Sequence, residues 1–215
     1  MKKHAHTETI WLFDVDKTLY PPKNGLYQEG NTRINQYLQN HLQMSLVEIN
    51  RLRKQYMNKY GTSLLGSIKE CGIDGNDFLQ FVHSFPKHSF LAHQPDLKVF
   101  LEKLPGKKYI FSNAPKDYIL EILSILGIDS VFLKIYGIHS FRFHGKPKIS
   151  SYLNVLRWVK AHPHQCILVD DMKVNCTMAS KLGIQTIWID ENQLYNDYYT
   201  EVLMPQLSNF LSSQK

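Results

Sequence analysis

The sequence is poor in cysteine: its 215 residues hold three, Cys71, Cys166 and Cys176. They are widely spaced, odd in number and form no Cys-x-x-Cys pair. That pattern argues against a disulfide framework or a zinc site and favours a reducing, cytoplasmic setting. No apolar run approaches the ~18 residues of a membrane-spanning helix. The polar start Met1-Lys-Lys-His-Ala-His6 is followed by no signal-peptide core, so no membrane partner is expected. His4 and His6 read as part of a terminal tail. Internal repeats and low-complexity tracts are also missing. The formal net charge is +6 and the pI about 9.1, yet the excess forms no block. The densest basic run, Arg51-Leu-Arg-Lys54, lies in a segment of helical spacing and reads as a solvated helix face. No nucleic-acid partner is expected from it.

A composition of 43% hydrophobic and 20% charged residues is that of an ordinary globular protein. The length suits one large domain, or a domain with a modest insert. Four continuous apolar runs read as buried parallel strands: Thr9–Phe13, Tyr109–Phe111, Cys166–Val169 and Gln185–Ile189. A fifth, weaker strand is expected over Val131–Ile135. Helical spacing separates most of them, over Asp96–Leu104, Lys116–Leu126, Ser150–Ala161 and Lys173–Leu182. Such alternation predicts an α/β fold, an open Rossmann-like parallel sheet with right-handed crossovers. One stretch breaks the rhythm. Between Tyr20 and Gln94 the pattern is helical only, with helices expected near Asn31–Gln43, Ser45–Tyr60, Ser63–Glu70 and Gly75–Phe85. A stretch that long is no loop, so residues 21–92 are expected to be a helical subdomain inserted into a core of residues 1–20 and 93–215.

Four segments at predicted strand ends or helix starts carry the chemistry. Asp14-Val-Asp16-Lys-Thr18 follows the first strand. The carboxyl edge of a parallel sheet is where ligands gather. A carboxylate there can attack phosphorus, and a second can protonate a leaving oxygen. Two solvated acids capping a strand end are the plainer alternative. Ser112-Asn113-Ala114 offers a hydroxyl and backbone N–H groups to an anion, though Ser-Asn is also ordinary turn chemistry. Gly145-Lys146-Pro147 places a cation before a helix, where Lys148 competes for the same role and a plain surface charge is the alternative. Asp170-Asp171 ends the third clear strand. Adjacent acids call for a cation, and Mg²⁺ prefers such oxygen ligands. The alternative there is a helix N-cap.

Taken in order, acid pair, Ser, Lys and second acid pair resemble the signature of the haloacid dehalogenase-like superfamily. The resemblance covers most of the chain and implies a Rossmann-like core with a cap. Its phosphatase members carry an acid at the position of Asp16 and a Thr at Thr18, while the dehalogenating members lack that acid. A finer resemblance is to the pyrimidine 5′-nucleotidase branch. It rests on Asp14-Val-Asp-Lys-Thr-Leu-Tyr20, Tyr56-x-x-x-Tyr60-Gly-Thr62, Ser112-Asn-Ala114 and Asp170-Asp171-x-x-x-Asn175.

What the resemblance implies is a Mg²⁺-dependent phosphomonoester hydrolase working through an aspartyl-phosphate. Asp14 would be the nucleophile and Asp16 the acid and base. Asp14, the Asp16 carbonyl and Asp171 would hold the metal, with Asp170 assisting. Ser112, Lys146 and Asn113 would hold the phosphoryl group, Thr18 would orient the loop, and Asn175 would support the metal site. The expected substrate is a small phosphorylated metabolite, a pyrimidine nucleoside monophosphate. A broad phosphatase of sugar phosphates or phosphoglycolate is one alternative, and a non-catalytic phosphate-ester-binding protein another. In the cap, Tyr56, Tyr60 and Thr62 are expected to read the leaving group, with a packing role for the tyrosines as the alternative. The stretch His139-Ser-Phe-Arg-Phe-His144 fits no pattern of the branch and is expected to affect specificity.

Overall fold

The computed structural model describes residues 8–190 and 197–213, so His4 and His6 lie outside the described residues. Five parallel strands form one sheet: β1 (Ile10–Phe13), β2 (Lys107–Phe111), β3 (Lys134–Tyr136), β4 (Cys166–Asp170) and β5 (Gln185–Trp188), in the order β3-β2-β1-β4-β5. Leu12 lies between Tyr109 on one side and Leu168 on the other, so β1 is the central strand. The chain builds outward through β2 and β3, then returns to the other side of β1 for β4 and β5. The order therefore reverses between β1 and β4, the place where open α/β sheets bind ligands.

The continuous apolar runs have a direct reason: both faces of the sheet are covered. Trp11, Phe13 and Val169 pack on one face against α5 (Pro95–Lys103), α6 (Lys116–Leu126) and α9 (Met204–Ser213). Ile10, Leu12 and Leu168 pack on the other against α7 (Ile149–Val159) and α8 (Lys173–Lys181). Trp11, Leu12 and Phe13 are fully buried, each contributing roughly 1.5–3 kcal/mol of transfer free energy. The weak fifth strand is shifted from its expected place. Asp129–Val131 forms a 3₁₀ turn, and only Lys134–Tyr136 at the sheet edge pairs with β2.

Between β1 and α5 lie α1 (Leu26–Leu42), α2 (Leu46–Tyr60), α3 (Ser63–Cys71) and α4 (Gly75–His83). They surround their own apolar cluster, which includes Leu38, Ile49, Leu64, Phe78 and Val82. α1 begins five residues before the expected Asn31. Gly25, at φ 92, turns the chain into it, and the Asn24 side chain accepts from the Leu26 amide at 3.0 Å. α2 opens as its sequence suggests, with a capping box between Ser45 and Glu48. The helix α9 and the π-helical turn before it, Tyr199–Leu203, were not among the expected elements. Val202, Leu203 and Leu207 bury themselves against the sheet.

No helix among the described residues is long and apolar enough to cross a membrane.

Candidate active site

The strand ends bring the predicted segments together. The Asp14 amide continues the β1–β4 pairing one step beyond the strand, donating to the Val169 carbonyl at 2.9 Å. This registers the Asp14 carboxylate beside Asp170 and Asp171. Oxygens of all three lie within 4.8 Å of one another, and all three residues are buried. Lys146 reaches in from the loop after β3. Its Nζ sits 3.0 Å from Asp14 Oδ1 and 2.6 Å from Asp170 Oδ2, with the residue only 1% exposed. Burial opposes the ammonium charge, but the Asp14 and Asp170 carboxylates outweigh it and hold its pKa above the ordinary lysine value. Lys148, two residues on, is partly exposed and does not line the cavity at this edge.

Two clasps fix that geometry. Asn113 grips the lysine's backbone twice. Its side-chain oxygen accepts from the Lys146 amide and its Nδ2 donates to the Lys146 carbonyl, both at 2.8 Å. This clasp uses only the Asn113 side chain, and Asn113 itself lines the cavity. The second clasp holds Asp170. Asn175 Nδ2 donates to both its oxygens, at 2.9 and 3.1 Å, and the Met172 amide donates to Oδ1 at 2.8 Å. Asn175 thus supports Asp170, while Asp171 Oδ2 is buried without a conventional hydrogen bond and has the Lys17 ammonium 2.7 Å away. Burial and the neighbouring Asp14 charge push the Asp171 carboxyl up to about 7, against the pull of Lys17.

Gly145 makes the first clasp possible. A Cβ there would sit 2.0 Å from Asn113 Oδ1. Gly145→Ala is therefore expected to break the grip on Lys146 and to cost about 1–3 kcal/mol, read as a lower urea midpoint.

Asp16 occupies a different environment. Tyr20 and Tyr118 both donate to its Oδ1, at 2.5 and 2.8 Å. Burial, then the Asp14 charge, push its carboxyl up to about 6, and the two tyrosines restrain the rise. The His83 ring from α4 lies tilted against Tyr118, with ring centroids 4.3 Å apart. Burial, and then the charges of Lys87 and Arg33, lower the His83 pKa to about 3, so the ring is neutral.

A cavity of about 210 Å³ opens over these groups. Its floor includes Asp14, Asp16, Ser112, Lys146 and Asp171, and α1, α2 and α4 supply much of its wall. Ser112 is 1% exposed, with its Oγ accepting from the Ala114 amide at 3.3 Å.

Thr18 is fully buried under the loop and lines no cavity, so it meets no substrate from there; its carbonyl accepts from Tyr198 at 2.7 Å. Three sequence expectations need correction. Tyr56 and Tyr60 do not reach the cavity either. Tyr56 lies against Gly66, where an added Cβ would come within 2.3 Å of its ring, and its hydroxyl meets Cys71 Sγ at 3.1 Å. Tyr60 bonds Glu70. These tyrosines pack α2 on α3. Of Tyr56, Tyr60 and Thr62, only Thr62 lines the cavity. The stretch 139–144 is no part of the wall: His139 Nε2 meets Asn76 Oδ1 at 3.1 Å and Phe143 packs at Gly75, so it fastens the core to α4.

The residues that sequence reasoning missed are Lys17, Tyr20, Tyr118, His83 and Arg53. Tyr20 stands one helical turn from Asp16 and could have been found. The others are joined to the site only by the fold.

Comparison with known proteins agrees with this architecture. The family model for haloacid dehalogenase-like hydrolases matches residues 11–189. Phosphate metabolism protein 8 of Saccharomyces cerevisiae is 28% identical over 134 residues, covering 57% of this chain and 41% of that protein. The chain thus spans less than half the length of that relative. A 2-haloacid dehalogenase from Pseudomonas syringae pv. Tomato superposes with a TM-score of 0.54 at 16% identity, covering 97% of this chain and 100% of that one. The hydrolase-family protein YfnB of Bacillus subtilis, solved bound to magnesium, gives 0.53 at 18% identity, covering 95% and 98%. With its parallel core, its acid cluster and a family match over most of its length, the chain belongs to the haloacid dehalogenase-like hydrolases.

Proposed function

We propose that the protein is a Mg²⁺-dependent phosphomonoesterase, that residues 21–92 form its cap, and that its substrates are pyrimidine nucleoside 5′-monophosphates. The observation that carries the hydrolytic reading is Asp16. It lies beside the Asp14–Lys146 pair, with two tyrosines on Oδ1. That leaves Oδ2 to carry a proton to a leaving oxygen. An alkoxide leaving group needs that proton; a departing halide does not.

In this reading an Asp14 carboxylate oxygen bonds to phosphorus as the phosphorus–oxygen ester bond breaks. Asp16 gives its proton to the departing oxygen. Water then loses a proton to Asp16 and attacks the aspartyl-phosphate, releasing orthophosphate and restoring Asp14. Lys146 neutralises phosphoryl charge, and Ser112 donates to a phosphoryl oxygen. The acid cluster suits a hard cation: the three carboxylates converge, and burial with mutual repulsion raises Asp171 against the pull of a single nearby ammonium, Lys17. Asp14 and Asp171 would be the direct ligands, with Asp170, already gripped by Lys146 and Asn175, orienting the cluster. Bound Mg²⁺ would offset the charge of nucleophile and phosphate together.

The nucleotide part of the proposal rests on the four motifs of the pyrimidine 5′-nucleotidase branch. The wall residues Tyr27, Phe78 and Phe85 offer a base an aromatic, largely apolar surface. Phosphate release should be measured with and without Mg²⁺ from UMP, CMP, AMP, a sugar phosphate and p-nitrophenyl phosphate. Chloride release from a 2-haloacid is measured beside it. Metal-dependent release, highest with UMP and CMP, is expected. Chloride without phosphate would sink the phosphatase reading, and equal rates on every ester would sink the pyrimidine preference alone.

A further inference from the structure

Arg53 departs from the solvated face that its basic run suggests. Its neighbours Arg51 and Lys54 are exposed, whereas Arg53 turns inward and lines the cavity together with Met57, one helical turn on. Its guanidinium is gripped by α1. Nη1 donates to Asn35 Oδ1 at 2.5 Å and to the Asn31 carbonyl at 3.4 Å, and Nη2 donates to Asn31 Oδ1 at 2.6 Å. These acceptors are neutral amide oxygens. No carboxylate pairs with Arg53 among the described residues, and its Nε is buried without an acceptor. Burial holds its pKa below the ordinary arginine value, and only Tyr27 offsets this.

A brace between α1 and α2 would explain the two Nη groups. It does not explain a buried Nε that meets nothing, nor why asparagines stand where aspartates would have cancelled the charge. Two amides orient the planar fork and leave its charge to act on whatever enters the cavity. A buried donor of this kind costs free energy until a ligand satisfies it.

The geometry points to Arg53 as the specificity-determining residue of this cavity, donating to an oxygen acceptor, carbonyl or carboxylate, on the leaving group of the phosphate ester. This rests on the phosphomonoesterase reading and extends it to the other end of the substrate. A site built around a hydrogen bond rejects the analogue that lacks it, because the protein's own donor is then left unpaired.

The test compares kcat/KM for UMP, which carries carbonyl acceptors, for phosphoglycolate, which carries a carboxylate, and for phenyl phosphate, which carries neither. Arg53→Met is expected to lower the ratio of UMP or phosphoglycolate over phenyl phosphate by ~10–100-fold, chiefly through KM. Whichever of the two loses more identifies the acceptor. Arg53→Lys, which keeps the charge without the fork, is expected to recover part of the ratio. Equal losses on all three esters would overturn the inference and leave Arg53 a brace. Calorimetric binding of the same esters to the Asp14→Asn protein, with and without Arg53→Met, gives a readout free of turnover. If no ester releases phosphate, the phosphatase reading fails. The inference about Arg53 then stands if Arg53→Met weakens UMP or phosphoglycolate binding selectively. It falls if binding is unchanged or absent.

Discussion

Replacing Asp14 by Asn is expected to lower phosphate release by about 10⁴–10⁶-fold, the scale of losing a covalent nucleophile, while the protein stays folded. An amide oxygen is too poor a nucleophile to form the ester bond to phosphorus, and no neighbouring carboxylate can take over. Asp170 is fully buried and held by Lys146, Asn175 and the Met172 amide. Asp16 is fixed by Tyr20 and Tyr118. The fold should tolerate the change because Asn is isosteric and its Oδ1 can still accept from Lys146. The Asp14 charge also raises the pKa values of Asp16, Asp170 and Asp171, so its removal relieves repulsion among buried acids. Unfolding by urea should therefore show a midpoint equal to or above that of the wild type. A rate within tenfold of the wild type would exclude covalent chemistry at Asp14. A fallen midpoint would mean that the carboxylate is needed to hold Lys146.

Asp14 was legible in the sequence for a physical reason. β1 is covered on both faces, so its four residues are apolar without a break, and the first acids after it mark where the strand leaves the core. The same logic located Ser112 and the Asp170–Asp171 pair. Their strands pair directly with β1, and all end at one edge. Lys146 was harder, because the loop holding it follows the short edge strand β3. There the sequence signal drifted toward Val131, and the lysine was identified through its order among the other motifs.

The helices between β1 and α5 are harder to read. Aromatic residues at positions 56 and 60 share a helix face, and a face that lines a cavity has the same spacing as one that packs on another helix. Gly66 decides between them, since its missing side chain admits the Tyr56 ring and draws α2 onto α3. Arg53 failed for the opposite reason. A basic run on a helix looks solvated, and only the side-chain oxygens of Asn31 and Asn35 and the Asn31 carbonyl on α1 reveal which of its charges turns inward. Tyr118 donates to an acid 102 residues earlier in the chain, a separation that no local pattern encodes. Lys17, directly after the acid pair, has no local pattern that separates it from a surface charge. Held in the left-handed region at φ 56, it carries its ammonium to Asp171 across the site.

Lys146 should be the residue on which stability depends most heavily. Lys146→Met removes the cation 3.0 Å from Asp14 and 2.6 Å from Asp170, at a position only 1% exposed. Breaking a buried pair in this way leaves uncompensated charge and costs about 3–5 kcal/mol. For a chain of this size that corresponds to a fall in Tm of roughly 6–20 °C. The cause can be separated from lost packing by a double-mutant cycle. Adding Asp14→Asn to Lys146→Met removes one of the two stranded carboxylates, so the double variant should be more stable than Lys146→Met alone. Mg²⁺ should restore part of the loss in Lys146→Met, because a cation held by Asp14 and Asp171 replaces some of the missing charge, and thermal scans with and without the metal measure it. If the double variant instead melts at or below the single one, the loss in Lys146→Met comes from the ammonium's contact with the Phe111 ring, 5.1 Å from Nζ, and charge balance among the carboxylates is not what holds this edge of the sheet together.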